Sequence, residues 1–478
     1  MNQFEKIKKR ITIEITKIVK SKEYIISSTI VGSFMESDLL SGISDIDVVI
    51  IVDKLMKRKF NEIINSFERI NSYEMGLDEY NIIVNNTFGP LKFDSNKNIV
   101  FHVMIYDIKG HIKHVQESPF TCYSWEKNKP LHGMSLKEIY PVINLQYSDI
   151  LDSRRSVLSY LDDIEKGSIT FRKYQFKNEK SLIVKDYFHL DSKHRLEYSY
   201  HITYHLLNNF YKIITQETTS LKNEEIVDFY KDFEIFSNAN VLLFKELYFW
   251  KKKGGSNPLN VIDRTKSFIN NFFSFIEKIK ISSNIISFRR HEKTVLNDGT
   301  FLGIKRNPSI YSISKKLSNL NYDIGYHSEL KRSKETIKYY NCERFIESSL
   351  LNEINYGLAE GLSLDQLSEK YPNIILSWKE GKDPIFPEGE NQKDVLIRVK
   401  EFLNKKLNNN KNSIIVTHLA VLRLVLFNYL ELNLKDLYKI QINHLKGFDI
   451  LSFKNYFSIR IPSELRIKIR KQLSLLND

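Results

Sequence analysis

The spacing of apolar and polar positions changes twice along the chain. Up to about residue 120, the short apolar runs YIISSTIV, DIDVVIIV and NIVFHVMIY lie between polar loops and helical stretches, the pattern of an α/β unit. The opening MNQFEKIKKRITIEITKIVK mixes acidic and basic residues among isoleucines, and so predicts an amphipathic helix, not a secretion or transit signal. From about 130 to 280 apolar residues recur three and four apart: Phe268, Phe272 and Ile276 make one ridge, Ile269 and Phe273 the next. This middle region is expected to be mostly helical, with WKKKGGSNPLN (Trp250 to Asn260) as a loop before its last helix. From Ile281 to about Pro462 strands alternate with helices again, which predicts a separate α/β domain with a parallel-type sheet. The expected units are 1–125, 126–280 and 281–478.

Length and composition agree with several folded domains. A chain of 478 residues exceeds one ordinary hydrophobic core, and 42% hydrophobic with 27% charged residues is a globular balance. No apolar run is long enough to cross a bilayer, and the expected compartment is the cytoplasm. Cys122 and Cys342 have no metal-ligand spacing and fit a reducing environment. The net charge of +13 is spread as lysines among asparagines and isoleucines, without an arginine-rich stripe or RNA-binding signature. It points to a basic pocket for phosphates more than to a dedicated nucleic-acid surface.

The first chemical constellation is TIVGSFMESDLLSGISDIDVVIIV. A strand ends in Gly32-Ser33, and Asp45 and Asp47 alternate at the start of the next, so both carboxylates project from one face. Two carboxylates so placed suit magnesium, whose remaining positions are open to nucleotide phosphates. Gly-Ser, a dozen residues and then SDIDVVI resembles the polymerase-β-like nucleotidyltransferase superfamily, which transfers a nucleoside monophosphate from an NTP. The resemblance implies that Asp45 and Asp47 hold the metal and that Gly32 and Ser33 contact the triphosphate; a helical region after such a domain is also usual there. These enzymes carry a third carboxylate on a later strand. The corresponding NIVFHVMIYD offers His102 in its middle and Asp107 at its end, and a histidine within an apolar strand is also a common core residue.

The second constellation begins with NIISFRRHEKTVLNDGTFLG, where an arginine and a histidine, Arg290 and His291, fall at the carboxyl end of a strand-like run. Ligands in open α/β sheets gather at that end. In order follow YHSELKRSKET with Arg332, LLNEINYGLAEG with Glu353, PEGENQKDVLIRV, and SIIVTHLAVLR with His418. The set, over about 285–445, resembles the histidine phosphatase (phosphoglycerate-mutase-like) superfamily and implies a three-layer α/β/α fold. It also implies that His291 attacks phosphorus without a metal, that Arg290, Arg332 and His418 surround the phosphoryl oxygens, and that Glu353 protonates the leaving alkoxide. For that last role Glu353 must keep its proton at neutral pH, which burial beside an anionic phosphate favours. The usual Arg-His-Gly-Glu-Thr is here Arg290-His291-Glu292-Lys293-Thr294, a second expected glycine is Leu419, and Glu329 replaces a proline. Arg289 and Glu360 read as rim or structural residues.

His201 and His205, four apart in YHITYH, lack an accompanying acidic metal motif and read as helix packing or acceptor contacts. Joined in one chain, the two constellations predict a bifunctional enzyme of small-molecule biosynthesis acting on an NTP and a phosphorylated substrate. The alternative is a regulatory or defence nucleotidyltransferase with an RNA or protein acceptor.

Overall fold

The computed structural model describes residues 3–36, 45–78, 80–88, 98–231, 233, 238–253 and 260–476. The connection at 37–44 and most of the glycine-rich stretch at 254–259 lie outside them.

The first sheet has five strands: β1 (Ile25–Val31), β2 (Ile46–Val52), β3 (Asn81–Asn85), β4 (Asn98–Asp107) and β5 (His132–Gly133), in the order β3-β4-β2-β1-β5. β2 and β3 run parallel to β4, while β1 is antiparallel to β2 and β5. Side chains alternate sharply. Val48, Ile50 and Val52 of β2, with Phe101, Val103 and Ile105 of β4, pack on Ile11, Ile15 and Val19 of the amphipathic helix Gln3–Lys20. The intervening Val49, Ile51, Met104 and Tyr106 join a second core, shared with the helical region.

That region is built on the helices Ser192–Thr215, Asn238–Lys253 and Val261–Ser282. Phe210, Phe268 and Phe272 are fully buried, each burial contributing roughly 1.5–3 kcal/mol. Trp250–Lys253, expected in a loop, complete the second of these helices. The region also contains a hairpin that helical periodicity does not predict, β6 (Ser168–Lys177) and β7 (Lys180–His189). Most of its residues are half-buried or exposed, so no buried stripe marks it in the sequence. A backbone bridge between Phe88 and Arg172 ties it to the first sheet, a contact between distant residues that local patterns do not carry. β5 likewise lies beyond the expected boundary at 125 yet pairs with β1.

The helix Val261–Ser282 leads directly into the third sheet: β8 (Asn284–Arg290), β9 (Asn321–His327), β10 (Asn341–Glu347), β11 (Ser413–Thr417), β12 (Gly447–Phe453) and β13 (Tyr456–Arg460). The order is β10-β9-β11-β8-β12-β13, with β8 to β11 parallel and β12 and β13 antiparallel. Helices cover both faces, giving the expected α/β/α layers.

A buried polar seam joins the last helix, Ser463–Leu473, to residues 139–149 of the helical region. Arg466 pairs bidentately with Asp149 at 2.7 and 2.8 Å, and Arg470 donates to the Val142 carbonyl at 3.1 and 2.9 Å. Ile143, adjoining this seam, belongs to the core of the third sheet and holds φ +62°, a left-handed conformation uncommon for a β-branched residue.

Candidate active sites

The alternation of β2 and β4 decides what faces the first cleft. Asp45 and Asp47 share the parity of Val49 and Ile51, and His102 that of Met104 and Tyr106, so all three project toward the helical region. Asp47 and His102 are direct partners in the parallel ladder. His102 Nδ1 lies 2.7 Å from Asp47 Oδ1, and its Nε2 donates to the Thr87 carbonyl at 2.7 Å. Donor atoms of Asp45, Asp47 and His102 all fall within 4.8 Å of one another. Burial alone would lower the His102 imidazole, but the Asp47 hydrogen bond and charge outweigh it and raise it. Of the two candidates for the third position, His102 is thus the one beside the aspartates. Asp107 has the opposite parity and caps the helix Ile108–Glu117 by accepting from Gly110 N at 2.7 Å.

Gly32, at φ +77°, follows β1, and a side chain there would collide with the Asp47 carboxylate. Glycine lets the backbone approach the carboxylate closely. Ser33 opens the one-turn helix Ser33–Glu36. Both line, with Asp47 and His102, a cleft of about 610 Å³ that continues between sheet and helical region. Two carboxylates at its rim fit a divalent cation. Further along, the cleft is cationic: Arg154, Arg155, Arg172 and Lys212 line it over a floor that includes Phe88, Tyr106 and Trp125. Arg155 is paired with Asp163 and Arg154 with Glu117, whereas the Arg172 guanidinium stacks over Phe88 at 5.8 Å. His201 and His205, ring centroids 4.1 Å apart, also face this cleft.

The four parallel strands of the third sheet each deliver part of a second site at their carboxyl ends. β8 ends in Arg290, followed by His291; β9 is followed by Ser328 and, on the helix Lys331–Ile337, Arg332; β10 leads to Glu353; β11 is followed by His418 at the start of the helix Leu419–Tyr429. His291 is 2% exposed. Its Nδ1–H donates to the Glu292 carbonyl at 2.6 Å, while Arg332 Nε–H donates to its Nε2 at 3.2 Å. A carbonyl only accepts and a guanidinium only donates, so Nε2 carries the lone pair. Burial, then the Arg332 and Arg290 charges, push this imidazole well below its ordinary value. His418 is lowered in the same way, by burial and then Arg332.

Arg332 is pinned by the carbonyls of Gly303, at 2.8 Å, and Arg306, at 3.3 Å. That loop is held in turn by Glu360, which accepts from Lys305 N and Arg306 N at 2.9 and 2.6 Å. Glu360 therefore positions Arg332, and Arg289 is structural, paired with Asp449 at 2.7 Å. Glu353 accepts from Ile354 N, Leu419 N and Ala420 N at 2.9, 3.1 and 3.3 Å, which sets its carboxyl on the amino end of the helix Leu419–Tyr429. Burial here thus comes with three main-chain donors.

The motifs LLNEINYG and PEGEN pack back to back. Side chains at Gly357 or Gly389 would collide with the carbonyls of Pro387 or Asn355, and Glu390 accepts from Asn355 N at 2.8 Å. Arg398 then donates to the carbonyls of Asn352 and Glu353 at 2.6 and 3.1 Å.

The missing glycines leave the backbone unstrained, because neither Glu292 nor Leu419 has positive φ. Glu329 is exposed and bound to the Asn352 amide at 2.8 Å, outside the cluster. Two residues not singled out from the sequence complete the site. Ser328 Oγ bonds His418 Nε2 at 2.7 Å, and His444 Nδ1 donates to the His291 carbonyl at 2.8 Å. Burial, then the Arg290 charge, lowers His444 to about 4. Ser328 sits inside a quoted motif, but nothing local in sequence marks His444.

Among the described residues, Arg290 Nε and His418 Nδ1 are buried without a hydrogen-bond partner. Two neutral imidazoles and two guanidiniums, one with an unsatisfied N–H, can receive a phosphate dianion.

The two sheets with their sites define a chain of two phosphate-handling domains. Residues 13–107 match a family model described as nucleotidyltransferase domain, and residues 310–457 one described as histidine phosphatase superfamily (branch 1). The chain thus carries a nucleotidyltransferase domain followed by a histidine phosphatase superfamily domain. The second match begins after Arg290 and His291, whose place rests on the geometry above.

Curated relatives include a 2,3-bisphosphoglycerate-dependent phosphoglycerate mutase of Cytophaga hutchinsonii, 27% identical over 131 residues, 25% of this chain and 62% of that protein. Another is phosphoserine phosphatase 1 of Hydrogenobacter thermophilus, 30% identical over 118 residues, 23% of this chain and 56% of that protein. The chain thus spans about three-fifths of the length of either relative. Among solved structures, an alpha-ribazole phosphatase from Shigella flexneri is 17% identical, with TM-score 0.33, covering 37% of this chain and 95% of its own. No helix among the described residues is long and apolar enough to cross a membrane.

Proposed function

We propose that the chain is a bifunctional enzyme. Its N-terminal half transfers a nucleoside monophosphate from an NTP to a small phosphorylated acceptor, and its C-terminal domain hydrolyses a phosphomonoester. In the second reaction His291 Nε2 attacks phosphorus and the ester P–O bond breaks. Glu353 delivers a proton to the departing alkoxide, and water then cleaves the phosphohistidine without a metal. The observation that carries this reading is the Arg332–His291–Glu292 chain of hydrogen bonds, which leaves the lone pair on Nε2 in a cluster whose Arg290 Nε is a buried donor without a partner. Arg290, Arg332 and His418 stabilise the charge spread over the phosphoryl oxygens.

In the N-terminal cleft Asp45 and Asp47 would hold the divalent cation that supplies charge neutralisation to the triphosphate, a place that magnesium takes in the family this domain resembles. Gly32 and Ser33 would bind that triphosphate, and the cationic wall with Arg172 supports an anionic acceptor. Both reactions then belong to one biosynthetic sequence in the cytoplasm, one site adding a nucleotide and the other removing a phosphate.

The test is phosphate release from a panel of phosphomonoesters, with and without chelator, by the intact chain, His291→Ala and Asp45→Asn/Asp47→Asn. The reading requires that release survive chelation and the aspartate changes and vanish in His291→Ala; release that persists there refutes it. With α-labelled NTP, label on a small acceptor supports the transfer reaction. Label on RNA or protein would support a regulatory enzyme in its place.

A further inference from the structure

We infer that His102 is a third metal ligand, through Nδ1, and that the nucleotidyltransferase site selects manganese(II) over magnesium. This rests on the reading of Asp45 and Asp47 as ligands.

The orientation of the imidazole carries the argument. Nε2 lies 2.7 Å from the Thr87 carbonyl, which only accepts, so Nε2 bears a proton and Nδ1 is the nitrogen turned toward Asp47. A ring N–H given to a backbone carbonyl is the usual outer support of a metal-bound histidine. The support is itself fixed: Thr87 donates through its N and Oγ to Asn85 Oδ1 at 3.0 and 2.8 Å, and the next residue, Phe88, forms the backbone bridge to Arg172. His102 is 8% exposed and held at both nitrogens.

The donor set is two carboxylates and one imidazole within 4.8 Å. Magnesium strongly prefers oxygen and a near-ideal octahedron, and a fixed nitrogen at one position weakens its claim. First-row transition ions accept imidazole, and manganese is the one that keeps the preference for carboxylate, water and phosphate oxygen that a nucleotide site needs. The bland alternative is an ion pair of His102 with Asp47, with the cation held by the aspartates alone.

The experiment titrates the full chain with Mn2+ alone and then with competing Mg2+, followed by electron paramagnetic resonance, and records electron spin echo modulation of the bound ion. Wild type is expected to show nitrogen modulation from a directly bound imidazole. His102→Asp should lose it and move the Mn2+/Mg2+ affinity ratio toward magnesium by about 10–100-fold. Bound Mn2+ without nitrogen modulation in wild type overturns the inference and needs no variant to fold. So does an unchanged ratio in a His102→Asp protein whose circular dichroism matches wild type. Asp47→Asn separates the two levels: if it binds Mn2+ like wild type, the ligand reading of the aspartates fails, whereas if it alone abolishes binding, only the role of His102 falls.

Discussion

Arg332 Nε–H donates to Nε2 of His291 at 3.2 Å, so the group that would steady a phosphoryl oxygen also keeps the nitrogen proposed as nucleophile unprotonated. Removing it affects both orientation and charge. Arg332→Ala is expected to lower kcat/KM for phosphate release by about 10²–10³-fold, the range for deletion of one preorganised donor. Arg332→Lys should recover only part of this, because a single ammonium cannot also reach the Gly303 and Arg306 carbonyls. Equal activity of Lys and wild type would refute the geometric role.

The second prediction concerns protonation. Burial and then neighbouring guanidiniums lower both His291 and His418, so each stays neutral as pH falls through about 6.5, where an ordinary imidazole charges. Arg332→Gln removes a positive charge and should move the His291 transition upward. Ring-nitrogen NMR titration of the phosphate-free protein reads this directly, and a wild-type His291 titrating near 6.5 would contradict it.

Glu360 acts at one remove. Glu360→Ala removes two hydrogen bonds from the Lys305 and Arg306 N–H groups, a loss of about 0.5–1.5 kcal/mol each, and loosens the carbonyls that pin Arg332. The expected result is a drop of about tenfold in kcat/KM, with Glu360→Gln intermediate, because its one amide oxygen can accept from only one of the two N–H groups. If Gln matches wild type, acceptance by both oxygens is not what holds the loop.

Much of this geometry was legible in the chain. Alternation along DIDVVIIV places Asp45 and Asp47 on one face, whereas His102 and Asp107 both stay open, because which parity of NIVFHVMIYD faces the aspartates depends on its register against β2. What stayed hidden depends on contacts between distant residues. The β6–β7 hairpin is held by its own pairing and by Phe88, without a buried stripe. His444 reaches the His291 carbonyl from 153 residues away. The match of Gly357 to Pro387 and of Gly389 to Asn355 explains why two motifs occur together, but only once the loops are seen back to back.

The seam supplies a prediction about stability. Arg466→Met alone leaves Asp149 as a buried unpaired carboxylate and should destabilise the chain by about 3–5 kcal/mol. Arg466→Met with Asp149→Leu should recover much of that loss, since an apolar pair of similar volume avoids burying charge. Urea unfolding compares them. A double variant no better than the single would mean that the bonds of Arg466 to other groups, such as the Asn144 carbonyl, matter more than the ion pair.

The same seam constrains how a cell can control the two reactions. One chain carries both clefts, and Arg466 and Arg470 anchor its last helix to the helical region, so under the proposed function expression level would set both doses together. The balance between the two proposed reactions would then be struck by kinetics: by which substrate is abundant, and by how long each product lingers before it leaves.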